Sequence, residues 1–386
     1  MNSFAYYRLP DARHFIKLTQ KKGEPETYFS LTDLNGKEGF VLVPFKIDKA
    51  HPVVLIHPEK KERVRVSKCS ARLRNEYGAT ILATPSDGRE RYGEVFRCFH
   101  QQLKDGKLAK IVLARCEEIS HSASIEVEAM FLETCRIYPH LCIMLVSTPQ
   151  TGTWLMATPE VLLDGDGETW RTMALAGTMK AGELAPDADC SSDRTPWVDG
   201  NDMCDWSAKN KHEQQLVATY IQQCLSPFAA QLTQRGPYTV QAGDLVHLRS
   251  DFMFSLHDTK SLGSLLEALH PTPAVCGLPK AEAQRFILEN EHADRSYYSG
   301  FAGLLNPNGE THLYVSLRCM QILENSYRLY AGGGLLLDSV EQQEWEETEA
   351  KMETMRKITA SPPTPPIVGN SLSSDPPPHG RGGVRR

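Results

Sequence analysis

Glutamates crowd one stretch of this chain: Glu341, Glu344, Glu346, Glu347, Glu349 and Glu353, with Trp345, Met352 and Met355 as an apolar stripe among them. In a helix, residues three and seven positions apart return to nearly the same direction, so Glu344, Glu347 and Lys351 share one face. Taken alone, that spacing fits a solvated face held by internal ion pairs. It acquires chemistry if a second element adds a carboxylate, because a hard divalent cation takes carboxylate oxygens from separate elements and keeps water or ligand oxygens besides. Glu213, in the run KNKHEQQLV, is the candidate. Its neighbour His212 does not make this a zinc helix, since the second histidine of an H-E-x-x-H helix is replaced by Leu216.

Lys110 opens the β-branched run KIVLARCEEI. If Ile111 and Leu113 face one side of a strand, Lys110 and Val112 face the other. An inward lysine is desolvated and moves toward the range of a general base, whereas on an exposed edge it is a solvated cation. Glu160, after Thr158-Pro159, reads in isolation as a turn carboxylate. Two glycine runs, Tyr330-Ala-Gly-Gly-Gly-Leu and Leu175-Ala-Gly-Thr178, let backbone approach an anionic group or simply turn the chain. Neither is a Walker or Rossmann fingerprint.

Positioning these residues requires alternating strands and helices. Residues 1 to 87 read as short strands and turns. A helix follows from Arg89 to Lys104, then a strand from Lys110, and a helix from Ile125 to Tyr138 closed by Pro139. Strands are expected at Cys142 to Ser147, Trp154 to Ala157, Val161 to Leu163 and Thr169 to Leu175, with Asp164-Gly-Asp-Gly as a hairpin turn. The polar segment from Gly182 to Asp205 reads as a long loop, and Ser207 to Leu232 as a long helix. A helix opened by Pro279, strands at Gly303 to Leu305 and Leu313 to Ile322, and a hairpin into Tyr327 to Leu337 come next. The last helix runs from Val340 to Thr359, with Ser339 and Gln342 in capping-box spacing. Antiparallel strands interrupted by separated helices predict an α+β fold. One domain over 1–360 is the simplest partition, followed by a Pro/Gly/Ser-rich tail at 361–386 expected to be disordered.

Composition narrows the partners. A net charge of -6 over 386 residues gives no basic field for a nucleic-acid backbone. The apolar runs fall short of a membrane span, the start of the chain carries no leader pattern, and ten scattered cysteines form no C-x-x-C pair. The expectation is a soluble cytoplasmic protein with reduced thiols, most of them in the core.

Nine segments occur in a fixed order: KIVLAR from Lys110, ATPEVLL around Glu160, LAGT from Leu175, KHEQQLV around Glu213, HPTPAVCGLP from His270, DRSYYSGFAG from Asp294, VSLRC around Arg318, YAGGG from Tyr330 and EWEETEAK ending at Lys351. In that order they resemble the chorismate-binding enzymes: isochorismate synthases, salicylate synthases, anthranilate synthase component I and aminodeoxychorismate synthase component I. The resemblance implies large antiparallel sheets packed together with helices outside, residues 1–90 being the variable part. It implies that Glu213 and Glu347 ligate Mg2+ with Glu344 nearby, and that the metal holds the ring carboxylate of chorismate. Arg318, Lys351 and the amides near Gly332 and Gly333 would hold the substrate's carboxylates. Gly177, Thr178, Ala274, Tyr298 and Tyr330 would line the pocket, with His247 close by.

Within the family, members that add water carry lysine in the KVVLAR-like strand, and anthranilate synthases carry glutamine there. The chain has Lys110, and it has Ala176 where a covalent lysine stands in some aminodeoxychorismate synthases. The resemblance therefore implies an isochorismate synthase in which Lys110, neutral at rest, is the base that activates water for C2 and protonated Glu160 is the acid that releases the C4 hydroxyl. It further implies a monomer without a glutaminase subunit; the pathway, menaquinone or siderophore biosynthesis, is set by neighbouring genes and not by this site, and menaquinone is the expectation. A salicylate synthase, which goes on to eliminate pyruvate, and a non-catalytic binding subunit of the same fold are the alternatives. Two features depart from the family: the length of the Gly182 to Asp205 loop and the tail.

Overall fold

The computed structural model describes residues 3–66, 87–121, 126–180, 206–242 and 245–360. The expected loop at 182–205 and tail at 361–386 lie outside the described residues. Among the described residues the strands form two nine-stranded sheets, antiparallel throughout. The first runs from edge to edge through Gly277–Leu278, Lys110–Ser120, Ser326–Leu335, Cys319–Ile322, Gly152–Thr158, Cys142–Thr148, Ser3–Arg8, His14–Gln20 and Lys60–Arg65. The second runs through Ala229–Ala242, Leu245–Leu256, Trp170–Lys180, Val161–Gly165, Thr311–Val315, Phe301–Leu305, Gly39–Val43, Val53–Ile56 and Glu26–Tyr28. The α-helices are α1 (Asp87–Lys104), α2 (Val127–Ile137), α3 (Ala208–Leu225), α4 (Leu262–Leu269), α5 (Lys280–Asn290) and α6 (Glu341–Thr359). The α+β reading holds.

Side-chain alternation sets the layers. Met144 and Val146 of the first sheet meet Phe40, Leu42 and Tyr314 of the second in a core between the sheets. Ile143 and Leu145 point the opposite way, onto Phe131 of α2 and Met355 of α6. In the second sheet Val41, Val43, Val53 and Leu55 turn outward to Val217 and Ile221 of α3 and Leu265 and Leu269 of α4. Helices thus cover both outer faces of a two-sheet stack. Strands buried on both faces read as unbroken apolar runs, CIMLV and FVLV, with no polar alternation. Each such fully buried side chain contributes about 1.5–3 kcal/mol relative to exposure.

Three local expectations are corrected. The helix read as reaching Leu232 ends at Leu225, and Ala229–Ala242 is a strand at the edge of the second sheet. Pro237 cannot sit in a helix interior but is accommodated on an edge strand, where a missing N–H breaks no central ladder. The run from Leu313 to Ile322 is two strands in different sheets, Thr311–Val315 and Cys319–Ile322, broken where Arg318 adopts φ +44°. The capping box is not formed: Val340 is the N-cap residue, and Ser339 Oγ accepts from Leu336 N at 3.0 Å instead. No described helix is long and apolar enough to cross a membrane.

Candidate active site

Two of the chain's crossings between the sheets lie side by side. One crossing joins Gly152–Thr158 to Val161–Gly165 and carries Glu160; the other joins Thr311–Val315 to Cys319–Ile322 and carries Arg318. They are tied together, Val315 N donating to Glu160 O at 2.9 Å and Ala157 N to Arg318 O at 3.1 Å. Both side chains open into one pocket. Its walls come from the first sheet (Val112, Tyr330, Gly332, Gly334), the second (Leu175, Gly177, Thr178, His247), α3 (Glu213), α6 (Glu347, Lys351) and the segment carrying Ala274, Val275 and Tyr298. Tyr298 and Tyr330 stack at 5.3 Å, and Trp154 continues the stack beneath Tyr330 at 5.6 Å.

Gly177 sits at a bulge in the Trp170–Lys180 strand: Ala176 faces Leu248 while Thr178 already faces His247. Its φ of +72° is a conformation that glycine adopts without penalty, and a Cβ there would lie 3.2 Å from Asn210 Cβ. The bulge directs Gly177 O at His247 Nδ1, 3.0 Å away, while Arg318 Nη2 lies 3.0 Å from His247 Nε2. A guanidinium only donates, so Nε2 accepts and the ring proton sits on Nδ1, which donates to Gly177 O. Burial, reinforced by the Arg318 charge, holds the imidazole well below its ordinary range, so it stays neutral. The histidine serves as a fixed acceptor that orients Arg318.

Three carboxylates face three lysines. Lys110, fully buried, brings Nζ to 2.8 Å from Glu213 Oε1. The angles are not those of a hydrogen bond, so the contact is an ion pair and Lys110 Nζ has no hydrogen-bond partner among the described residues. Lys351 Nζ donates to Glu347 Oε1 at 2.6 Å and to Gly332 O at 3.0 Å. Lys209, one turn before Glu213 on α3, donates to Glu344 Oε1. The glycine run makes room for this cluster. A Cβ at Gly334 would collide with Glu213 Oε1 and lie 2.9 Å from Lys110 Cε, and one at Gly333 would lie 3.3 Å from Glu344 Oε2.

Electrostatics separate the acids. Burial pushes the Glu160 carboxyl up to about 8, against the pull of Lys110 and Lys351, so it keeps its proton at neutral pH. Burial also acts to raise Glu213, but Lys110, Lys351 and Lys209 together outweigh it and leave that carboxyl below the usual range. Glu344 is raised by burial and then by the Glu347 charge, Lys209 opposing both. Two carboxyls driven apart around a buried lysine form an acid–base constellation.

Comparison with known proteins agrees with this geometry. The family model described as "Chorismate binding enzyme" matches residues 30–360. The chain belongs to the chorismate-binding enzyme family. The isochorismate synthase DhbC of Bacillus subtilis is 28% identical over 328 residues, covering 83% of this chain and 77% of that protein. The vibriobactin-specific isochorismate synthase of Vibrio cholerae is 28% identical over 281 residues, 72% of this chain and 68% of its own length. The solved structure of DhbC from Bacillus anthracis superposes with a TM-score of 0.75 at 26% identity, over 92% of this chain and 96% of that one.

As a chorismate-binding enzyme, the chain brings together the residues singled out in its sequence. Glu160, Gly177, Thr178, Glu213, His247, Ala274, Tyr298, Arg318, Tyr330, Gly332, Glu347 and Lys351 line the one pocket, and Lys110, Gly333 and Glu344 adjoin it through the contacts above. Lys110 and Val112 face the pocket while Ile111 and Leu113 pack under α1 and α5, as strand alternation requires. Three residues stand out among those not foreseen. Gly334 makes the closest approach, and its signal was the same glycine run. Lys209 stands four residues before Glu213, a spacing that puts both on one helix face. Leu317 joins the lining beside Arg318, with no signal in sequence.

The family implies Mg2+, and the residues fit it. Glu344 Oε2 is buried without a hydrogen-bond partner, an acceptor in want of a cation or donor. Among the described residues no three acidic, histidine or cysteine side chains are gathered as a ready metal cage.

Proposed function

We propose that this chain is an isochorismate synthase, an isomerase that interconverts chorismate and isochorismate. The reading is carried by the pairing of buried Lys110 with a buried Glu160 that holds its proton to about pH 8. Both relatives reported above bear the name isochorismate synthase. In its neutral form Lys110 Nζ takes a proton from water as its oxygen bonds to C2; the ring double bonds shift, and Glu160 gives its proton to the C4 hydroxyl, which leaves as water. One water enters and one departs, so the composition of the substrate is unchanged. Arg318, oriented by His247, and Lys351 bind the substrate carboxylates. Glu213 and Glu347 would hold Mg2+, with Glu344 beside them, and its charge would bind and screen the ring carboxylate.

Chromatography of products from chorismate, with Mg2+ and with EDTA, tests this. Isochorismate formed only with Mg2+ is expected. Salicylate with equimolar pyruvate would replace the reading by a salicylate synthase, and no turnover at all by a binding subunit. We assign the product to menaquinone biosynthesis, with siderophore biosynthesis as the alternative; a deletion strain with undiminished menaquinone would refute the assignment. The enzyme acts as a cytoplasmic monomer without a glutaminase subunit; a larger species in sedimentation of the active enzyme would overturn the monomer.

A further inference from the structure

The Lys110 strand has an unequal pair of edges. On one side Lys110–Ser120 pairs with Ser326–Leu335 from Ile111 through Ser120. On the other, its strand partner is only Gly277–Leu278, at Ile111 and Lys110, extended by Val112 N donating to Cys276 O at 2.7 Å. Beyond that point two side chains take over. Arg295 Nη2 donates to Val112 O at 2.8 Å, and Ala114 N donates to Glu291 Oε1 at 2.6 Å. Residues 112 and 114 point to the same edge, so a guanidinium N–H and a carboxylate oxygen supply in turn the donor and acceptor that a neighbouring strand would have supplied.

The two side chains are themselves locked. Arg295 Nε and Nη2 donate to the Glu291 carboxylate at 2.5 and 2.7 Å, and both side chains are almost fully buried. Arg295 Nη1 reaches Val275 O at 2.7 Å, and the guanidinium lies over Phe45, 4.3 Å from the ring centre. One guanidinium therefore ties Val112 to Val275, two pocket-lining residues on different segments. The backbone carbonyl of Arg295 also accepts from Tyr298 N at 2.8 Å, which sets a third wall. Lys110 needs such support because its Nζ makes no hydrogen bond among the described residues and is aimed by its backbone and one ion pair.

We propose that the buried Glu291–Arg295 pair acts as a substitute strand that holds the Lys110 segment in register, making Arg295 a positioning residue for the acid–base step. The proposal rests on the isochorismate synthase reading for its kinetic consequence and on geometry alone for its structural one. Arg295→Lys keeps the charge but cannot reach two carbonyls and a carboxylate at once; Glu291→Gln keeps an acceptor for Ala114 N and loses the bidentate pair.

The test combines steady-state kinetics on chorismate with Mg2+ and amide hydrogen exchange of wild type and both variants. In a folded variant we expect kcat to fall about tenfold or more with KM within about twofold, since misplacing a reacting group by an ångström acts on the chemical step. Exchange should quicken in peptides covering 111–116 and stay unchanged in 142–148, a strand distant from the pair. A folded variant with wild-type kcat, a loss confined to KM, or a kcat loss without faster exchange at 111–116 would each overturn the proposal. If neither variant folds, the wild-type Ala114 amide decides: exchange as slow as the strand's interior supports the substitute strand, and fast exchange refutes it. If wild type does not convert chorismate, the functional reading fails separately and the exchange comparison still decides the structural claim.

Discussion

Glu160 can serve as the acid because burial disfavours the charged form of its carboxyl. With its proton held to about pH 8, Glu160 is a competent donor below that value and loses the role as pH rises through it. Wild-type kcat should therefore fall on the alkaline side of about pH 8; a flat profile from neutrality to well above 8 would remove Glu160 as the acid. Glu160→Gln has no proton to give, and isochorismate formation should drop by about 10²–10⁴. Lys110→Met should abolish turnover and also leave Glu213 buried without its counter-charge, a loss of about 3–5 kcal/mol. That loss should appear as a lower melting temperature in EDTA, partly restored by Mg2+; an unaltered melt would show that the 2.8 Å pair carries no weight. At this scale the sequence was informative, since the ordered motifs named both residues. What it could not supply was Glu160's burial: Thr158-Pro159 reads as a surface turn, and only the closing of two sheets over it removes its water.

The glycines act at the scale of the element. Gly334 is where the Ser326–Leu335 strand passes closest to α3, so Gly334→Ala should leave the fold intact but displace Glu213. The expected readout is weaker Mg2+ binding by calorimetry with an unchanged circular dichroism spectrum; wild-type Mg2+ affinity would argue that Glu213 is not a ligand. Gly177→Ala meets a different obstacle, a left-handed backbone, and should cost about 1–2 kcal/mol in chemical denaturation while loosening the His247 contact. Elements were the least legible part of the sequence. The sequence predicts a helix through Leu232, beyond its end at Leu225, because an apolar residue every few positions suits a helix and an edge strand alike over a short run. The strands on either side of Arg318 read as one in the sequence because nothing in the letters VSLRC marks a positive φ on a residue with a Cβ. Arg318 is held there by the crossing between sheets and by its contact with His247.

Across the whole molecule, buried histidines tie acid stability to the packing of the layers. His270, at the end of α4, donates from Nε2 to Pro44 O at 3.0 Å and so joins the helix layer to the end of Gly39–Val43. Burial lowers it from 6.5 to about 3, and His247 is lowered too. The unfolded chain takes up these protons near 6.5 while the folded chain resists, so their contribution is complete above 6.5 and is lost as pH falls toward 3. The melting temperature should decline from pH 7 to 4 more steeply in wild type than in His270→Asn; equal slopes would show that His270 is not part of that linkage.

By itself the sequence determined the chemistry available: which carboxylates, which lysine, and the order of motifs that marks a chorismate-binding enzyme. Those are local letters, and a motif survives being read one segment at a time. Only the tertiary structure decided that Lys110 meets Glu213, that Lys209 faces Glu344, that Glu160 and Arg318 occupy paired crossings, and that Glu291 and Arg295 complete the edge of a strand. Each joins residues far apart in sequence that only the packing of sheets and helices brings close, and the energies that fix them, desolvation and ion pairing, do not exist until that packing excludes water.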